Sequence, residues 1–264
     1  MRLAAVAAHF GRDLDPALQR IESIIGAARR AGAALLVLPD GTLGGHHHRP
    51  GTTELPVALD LCDPIFERIA ALAGDLVVCL GFCERAYRHD RDRYNAAVCL
   101  SGEGIHGRHR KVYLAAGEAG VYLPGEGFAA FDTPAGRLGM LIDYDKSFPE
   151  AARALSGDGA QVLACLSAWP ASTTTGTARR VVKDRQARLF DLYDCARAAE
   201  NQVGLASANQ TGGTGGLRFL GQAKVVGPGG DVRARTWTKA GLAIADIDVP
   251  AELARARQVH EYRS

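Results

Sequence analysis

The sequence predicts an α/β fold in which mixed β-sheets are covered by helices. Helix and strand signals alternate along most of the 264 residues, and a hairpin turn interrupts the alternation. No linker, low-complexity tract or block of charge divides the chain, so we predict a single domain spanning residues 1–264. Apolar residues make up 47% of the sequence, which is enough to fill a sizeable core.

Strand–helix–strand units open the chain. A strand is predicted at residues 2–8, and Asp15-Pro16 then predicts the N-cap and first turn of a helix. Gly32 ends this helix before an apolar strand at 33–38. The apolar face of the helix carries Leu18, Ile21, Ile25 and Ala28.

The same pattern repeats, and the rest of the chain mixes hairpins with helices. Asp63-Pro64 opens a second helix, Gly74 ends it, and a strand follows at 76–80. The run 101–104, Ser-Gly-Glu-Gly, predicts a hairpin turn. Further strands are predicted at 95–100, 138–142, 162–166, 203–208, 224–226 and 241–247, and further helices near 149–155 and 178–199.

The glycine-rich run 212–216 invites interpretation as a phosphate-binding loop. Such a loop needs a lysine and a hydroxyl residue after its last glycine, and Leu217 and Arg218 stand there instead. We therefore predict a flexible loop.

Charge and cysteine content exclude several classes of protein. Lysine and arginine total 31 against 29 acidic residues, so neither nucleic acid nor an anionic membrane is an expected partner. No apolar run is long enough to span a bilayer, and no signal-peptide core precedes the first strand. The six cysteines lack paired spacing, so we expect reduced, mostly buried thiols, no zinc site and a cytoplasmic protein.

Three predicted strands end in an acid or a polar turn. Asp40 follows the strand at 33–38, Asp143 follows 138–142, and residues 167–170 follow 162–166. Ligand sites of open α/β sheets gather at the carboxyl ends of strands. A single acid in such a place can equally be a turn or helix cap.

Six segments in this order resemble the nitrilase, or carbon–nitrogen hydrolase, superfamily. They are Leu36–Asp40, Gly107–Leu114 with Glu118, Gly139–Glu150, Ser167–Pro170, Ala196–Asn201, and Asn209 with Gly221. The resemblance implies a four-layer αββα sandwich with mixed sheets. It also implies a dimer formed through helices beside the nucleophile.

The resemblance assigns roles and also exposes departures. In the family a cysteine attacks an amide or nitrile carbon, a glutamate moves protons, and a lysine stabilises the tetrahedral intermediate. Lys111 and Glu118 match, but Asp143 stands at the cysteine position, Asp40 at the glutamate position, and Ala223 where serine is usual. Attack by a carboxylate on an amide would give an anhydride far uphill of a thioester, so ordinary acyl-enzyme chemistry is not expected.

The implied site holds three carboxylates and one ammonium group. Such an excess can be relieved by holding one acid protonated, by binding a cationic substrate or by binding a metal. The run His46-His47-His48 follows Asp40 closely, but consecutive histidines cannot easily face one metal. We therefore predict a solvated polar loop there, with no metal and no cofactor.

Two functions follow from these residues. The first is an enzyme acting on a small amide-like or amine-containing substrate, with Asp143 as general acid or base, or as a nucleophile at an alkyl carbon, opposite Lys111. The alternative is a pseudoenzyme, a dimeric binding or scaffold protein that keeps the pocket without turnover. A third possibility is that Asp143 was introduced deliberately to inactivate an enzyme. We discount it, because such a change would normally be to alanine or serine and would not explain Asp40.

Two further expectations concern the pocket and the assembly. Tyr144 and Trp169 are predicted to line the pocket and contact substrate, although Trp169 is also suited to a core position. A homodimer or a larger even oligomer is predicted, because the helices near 149–156 and 180–200 carry more apolar residues than one covered face needs. Those residues are Phe190, Leu192, Leu155 and Ala154.

Overall fold

The computed structural model describes residues 1–46, 55–86, 92–171, 184–214 and 217–259. Within these ranges the strands are β1 Arg2–Ala8, β2 Leu35–Val37, β3 Ala58–Leu59, β4 Val77–Arg85, β5 Arg93–Ser101, β6 Gly104–Arg110, β7 Phe131–Thr133, β8 Gly136–Ile142, β9 Val162–Ser167, β10 Gly204–Gln210, β11 Gly213–Thr214, β12 Leu217–Arg218, β13 Lys224–Val226, β14 Val232–Arg235 and β15 Gly241–Asp246. The helices are α1 Leu14–Arg30, α2 Pro64–Ala73, α3 Pro149–Gly157, α4 Arg185–Asn201 and α5 Val249–Val259.

Two sheets stacked face to face form the centre of the molecule. One has the strand order β6-β5-β4-β2-β1-β15 and the other has the order β7-β8-β9-β10-β13-β14. They join where β1 and β10 pair in parallel, at Ala7 with Asn209 and Ala8 with Gln210. Both sheets have parallel inner strands and antiparallel outer strands, so the prediction of mixed sheets is confirmed.

Alternate residues of each inner strand serve different layers. In β2 and the residue after it, Leu35 and Val37 point between the sheets, whereas Leu36 and Leu38 pack under α1 and α2. On the other side α3 and α4 cover the second sheet. Because both faces of each sheet are covered, these strands are apolar on both sides, and the αββα sandwich is confirmed.

The predicted N-cap residue is correct for one of the two N-terminal helices and wrong for the other. Asp63 caps α2 and Gly74 ends it with a φ of 56°, as predicted. The cap of α1 is Asp13 and not Asp15, so that prediction was wrong by two residues. Asp15 lies in the first turn, where an acidic side chain favours the positive end of the helix dipole.

Several features lie partly outside the described residues or were missed. The predicted helix near 178–199 corresponds to α4, with 178–183 outside the described ranges. In the glycine-rich run, β11 and β12 form a short hairpin, while Gly215 and Gly216 lie outside those ranges. The short edge strands β7 and β14 and the helix α5 carried no signal strong enough to predict them.

Two of the four apolar residues used to predict a dimer are buried in their own chain. Phe190 and Leu155 are fully buried, whereas Leu192 and Ala154 are exposed. Leu155 packs in the layer between α3 and the second sheet, and Phe190 packs against Trp169, so only Leu192 and Ala154 remain available for a dimer contact.

The six cysteines are free, and Cys79, Cys83, Cys99 and Cys165 are buried. Among the described helices, none combines the length and the apolar character needed to cross a bilayer.

Candidate active site

Asp143 occupies a tight turn at the carboxyl end of a central strand. β8 ends at Ile142, and a 3₁₀ turn, Asp143–Ser147, follows at once. Asp143 has a φ of 48°, in the left-handed region that non-glycine residues rarely adopt. Such a conformation costs about 1–3 kcal/mol and is concentrated at functional sites, although aspartate tolerates it better than most residues.

Asp145 ties this turn to the segment that carries Lys111. Its carboxylate accepts hydrogen bonds from the backbone N–H groups of Ile142 at 3.0 Å, Val112 at 3.1 Å and Tyr113 at 2.9 Å. His109 Nε2 lies 2.9 Å from the same carboxylate. Asp145 is fully buried, so these contacts position Lys111 relative to Asp143.

Lys111 and two carboxylates meet directly. The Lys111 Nζ donates to Glu118 Oε1 at 2.8 Å and to Asp143 Oδ2 at 3.3 Å. The other Glu118 oxygen accepts the Ala115 N–H at 2.6 Å, and Asp143 Oδ1 accepts the Ala168 N–H at 3.2 Å. Lys111 has no exposed surface and Asp143 is 8% exposed, so the ammonium is shielded while the aspartate keeps an opening.

Asp40 lies on a turn that packs closely against β4. A side chain at Gly81 would place its Cβ 2.8 Å from the Cα of Asp40, so glycine is needed there. The Asn95 Nδ2 donates to Asp40 Oδ2 at 3.1 Å, and the Gln210 Nε2 donates to the Asp40 backbone oxygen at 2.8 Å. Asp40 is 2% exposed.

The charges of this cluster act on one another. Burial lowers the pKa of Lys111, but the carboxylates of Asp143, Glu118 and Asp40 outweigh it, so the pKa is raised and the ammonium is kept. Burial raises the pKa of Asp40, yet contact with His46, the charge of Lys111 and the Asn95 hydrogen bond bring it below its usual value. Asp40 is therefore held as a carboxylate.

His46, from the predicted polar loop, is part of this cluster. Its Nδ1 lies 3.3 Å from Asp40 Oδ2, and its side chain is 6% exposed. Its ring stands edge-on to Phe219, with the centroids 5.8 Å apart. His46 lies in a loop, as predicted, but the expectation of a solvated side chain is wrong for it, while His47 and His48 lie outside the described residues.

The two predicted substrate-contacting aromatics differ in their surroundings. Tyr144 follows Asp143 and is 37% exposed, with its ring edge-on to Phe148. The ring of Trp169 packs against Phe190 and Tyr193, as expected for the alternative core position of this residue. A substrate contact for either side chain stays a prediction.

Sequence reasoning missed Asn95, Asp145 and the Ala168 N–H as contributors. Asp145 offered a signal, because it is an acid two residues after Asp143 in the segment that resembles the nucleophile motif. Asn95 offered a weaker one, as a polar residue entering an apolar strand. In the described part of the chain, no group of three or more histidine, cysteine or acidic side chains could hold a metal ion.

A second buried charge cluster begins three residues after Asp143. Lys146 Nζ donates to Asp194 Oδ1 at 2.7 Å, and Lys224 Nζ donates to Asp194 Oδ2 at 2.8 Å. The two ammonium nitrogens lie 3.3 and 3.8 Å from the centroid of the Phe190 ring. Lys224 also meets Asp191 at 2.9 Å, and Asp191 is partly exposed.

The fold and the acid–lysine cluster define an α/β protein with a buried charge cluster near the carboxyl ends of its strands. The family model for carbon–nitrogen hydrolases matches residues 2–257, and the chain belongs to that family, within the nitrilase superfamily.

Particular relatives agree with this membership. An (R)-stereoselective amidase from Pseudomonas sp. is 30% identical over 256 residues, which cover 96% of this chain and 86% of that protein. A carbon–nitrogen hydrolase from Helicobacter pylori G27 superposes with a TM-score of 0.83 at 20% identity, covering 99% of this chain and 94% of that one, and shows the fold alone. An amidase mutant from Nesterenkonia sp. AN1, with acrylamide added to its active-site cysteine, has a TM-score of 0.73 at 25% identity, covering 99% and 98%.

Proposed function

We propose that this protein is an amidase-like hydrolase of small amide substrates that uses Asp143 as a general base in place of a cysteine nucleophile. The observation that carries the proposal is the 3.3 Å contact between Asp143 and Lys111, on a turn with positive φ. The amidase names of two relatives support the reaction type. The aspartate at the cysteine position supports direct attack by water.

In this mechanism Asp143 takes a proton from a water molecule as the water oxygen attacks the carbonyl carbon. The Lys111 ammonium stabilises the negative charge that develops on the carbonyl oxygen, because it is buried and already oriented by Glu118. The C–N bond then breaks, and the leaving nitrogen takes up a proton. One water and one amide give one acid and one amine.

Ammonia release tests the proposal. Wild-type protein is incubated with acetamide, propionamide and acrylamide, and Asp143→Asn is expected to lower kcat/KM by about 100-fold or more, as loss of a general base does. Asp132→Asn, an exposed acid on the β7–β8 hairpin, is the matched control and should retain full activity. Full turnover by Asp143→Asn would overturn the assignment.

Oxygen-18 water distinguishes a general base from a nucleophile at an alkyl carbon. If Asp143 attacked carbon and formed an ester, hydrolysis of that ester would place the label in its own carboxylate. Trypsin releases Asp143 in the peptide 138–146, together with Asp145 as an internal control. We expect the label in the product acid and none in that peptide.

The pseudoenzyme alternative makes the opposite prediction. A binding protein would release no ammonia from any of these amides, and Asp143→Asn would change only ligand affinity. Retention of a buried ammonium with three carboxylates favours the enzyme, because apolar residues would stabilise an idle pocket better.

We also propose a cytoplasmic homodimer acting on a small molecule. Free cysteines support the compartment, and Leu192, 59% exposed on α4, supports a self-association surface near the Asp143 turn. Light scattering at micromolar concentration should give a dimer mass, and Leu192→Glu should shift it toward the monomer. A monomer from wild-type protein would remove this proposal without affecting the chemistry.

A further inference from the structure

The chain folds back sharply after Asp40, and this brings His46 against it. Gly41 has a φ of 63°, and a Cβ there would lie 2.6 Å from the backbone nitrogen of His46. Only glycine permits this turn. The result is a histidine ring beside the Asp40 carboxylate, nearly excluded from solvent and braced by Phe219.

Charge at the site makes a neutral ring unfavourable. The carboxylates of Asp40, Glu118 and Asp143 face one ammonium, Lys111, which leaves an excess of two negative charges. Burial works against a charged imidazole, but Asp40, through its contact and charge, and then Asp143 and Glu118 raise the pKa of His46 above its ordinary value. A protonated His46 halves the excess, by a means that needs neither a metal nor a cationic substrate.

We propose that His46 is a further catalytic residue, the general acid that, positioned by Asp40, supplies the proton taken up by the leaving nitrogen. This rests on the proposed amide hydrolysis. When the C–N bond breaks, its electron pair goes to nitrogen, and the imidazolium gives that nitrogen a proton. Asp143 still holds the proton taken from water, and returning it to His46 restores both groups with no other reactant.

The pairing also explains the role left to Asp40. Its Oδ2 accepts a hydrogen bond from Asn95 and also lies against His46, so the histidine contacts an oxygen whose position is already fixed. Its pKa is low, which makes it a poor proton donor but a good partner for a cation. Asp40 is therefore a positioning residue that keeps His46 charged.

A nuclear magnetic resonance titration tests the charge without any substrate. Ring nitrogens of ¹⁵N-labelled protein are followed from about pH 5 to about pH 10, and His46→Gln identifies the His46 signals by their loss. We expect a midpoint above the ordinary 6.5, lowered in Asp40→Asn. A midpoint at or below 6.5, or one that Asp40→Asn leaves unmoved, would overturn the pairing.

The pH dependence of amide hydrolysis then tests the catalytic role. With propionamide as the probe, kcat should fall as pH rises through the titration midpoint of His46. His46→Gln should lower kcat by about 100-fold and abolish this fall at high pH. His106→Gln is the matched control, because His106 pairs with Ser101 at the opposite end of β6 from Lys111. It should leave the profile unchanged.

The outcomes separate this inference from the proposed function. If His46→Gln kept the wild-type pH dependence of kcat and lowered only the amount of folded protein, His46 would have a merely structural role and the proposal would be overturned. Absence of turnover on every amide would remove the proposed function and the catalytic role with it. The Asp40–His46 pairing would still stand or fall on the titration.

Discussion

The two buried charge clusters adjoin at the turn that follows β8, but one has an excess of acidic side chains and the other an excess of buried lysines. Asp40, Glu118 and Asp143 surround Lys111 with more negative than positive charge. Three residues beyond Asp143, Lys146 and Lys224 share the single buried acid Asp194.

Access to solvent distinguishes them as much as sign. Asp143 keeps 8% of its surface exposed, whereas Lys146, Lys224 and Asp194 have none. In the sealed cluster, burial lowers the pKa of Lys146 despite the charge of Asp194. The excess charge of the cluster around Asp143 is open to a substrate or a proton, whereas the surplus ammonium of the sealed cluster is met by the partly exposed Asp191.

Asp194→Asn should have the largest effect on stability. It leaves two buried ammonium groups without their shared carboxylate, and we expect a loss of about 3–5 kcal/mol in the free energy of unfolding, measured by urea denaturation. Asp191→Asn is the control, because Asp191 is partly exposed and should cost about 1 kcal/mol or less. Equal losses in the two variants would show that the sealed cluster is not a unit.

Asp143→Asn should separate activity from stability. Lys111 keeps Glu118 as a partner and the local negative excess falls, so we expect the free energy of unfolding to change by about 1 kcal/mol or less. Amide hydrolysis should nevertheless be lost. A destabilisation as large as that of Asp194→Asn would contradict the distinction between the clusters.

Restoring a cysteine should need two changes. Asp143→Cys alone should recover little amidase activity, because the Asp40 side chain is one methylene shorter than that of glutamate. Its carboxylate is therefore displaced by roughly a bond length, and proton transfer needs heavy atoms about 2.6–3.2 Å apart. Asp143→Cys with Asp40→Glu should exceed either single variant in ammonia release, since base and nucleophile act as a unit. Full recovery of amidase activity by Asp143→Cys alone would show that the shorter side chain of Asp40 does not limit a cysteine at position 143.

The smallest expected effect is the change in the free energy of unfolding at acidic pH. Asp40 and Asp194 have folded pKa values below the unfolded value of 3.8, so their stabilisation is present above that pH and is lost as pH falls through the folded values. The stability gap between wild type and Asp194→Asn should therefore narrow between about pH 5 and about pH 2 in urea denaturation. A constant gap would mean that the Asp194 carboxylate is not the source of the difference.

The sequence by itself determined most helices and strands and the mixed sheets, because local signals specify them, and the resemblance of its motifs implied the four layers. Asp63-Pro64 and Gly74 bound α2 through cap chemistry, and continuous apolar runs such as 35–38 identify strands covered on both faces. The resemblance of the motifs also grouped Asp40, Lys111, Glu118 and Asp143 in one implied site. The single-domain organisation stays a prediction.

Only the tertiary structure decided which charges meet. His46 joins Asp40 through a glycine turn, Asp145 holds the Lys111 segment from 33 residues away, and Lys146 finds Asp194 across 48 residues. Residue type and local spacing carry no information about such separations. A charge is stable in the interior only where distant segments supply its partner, so the sign and the balance of each cluster arise from packing.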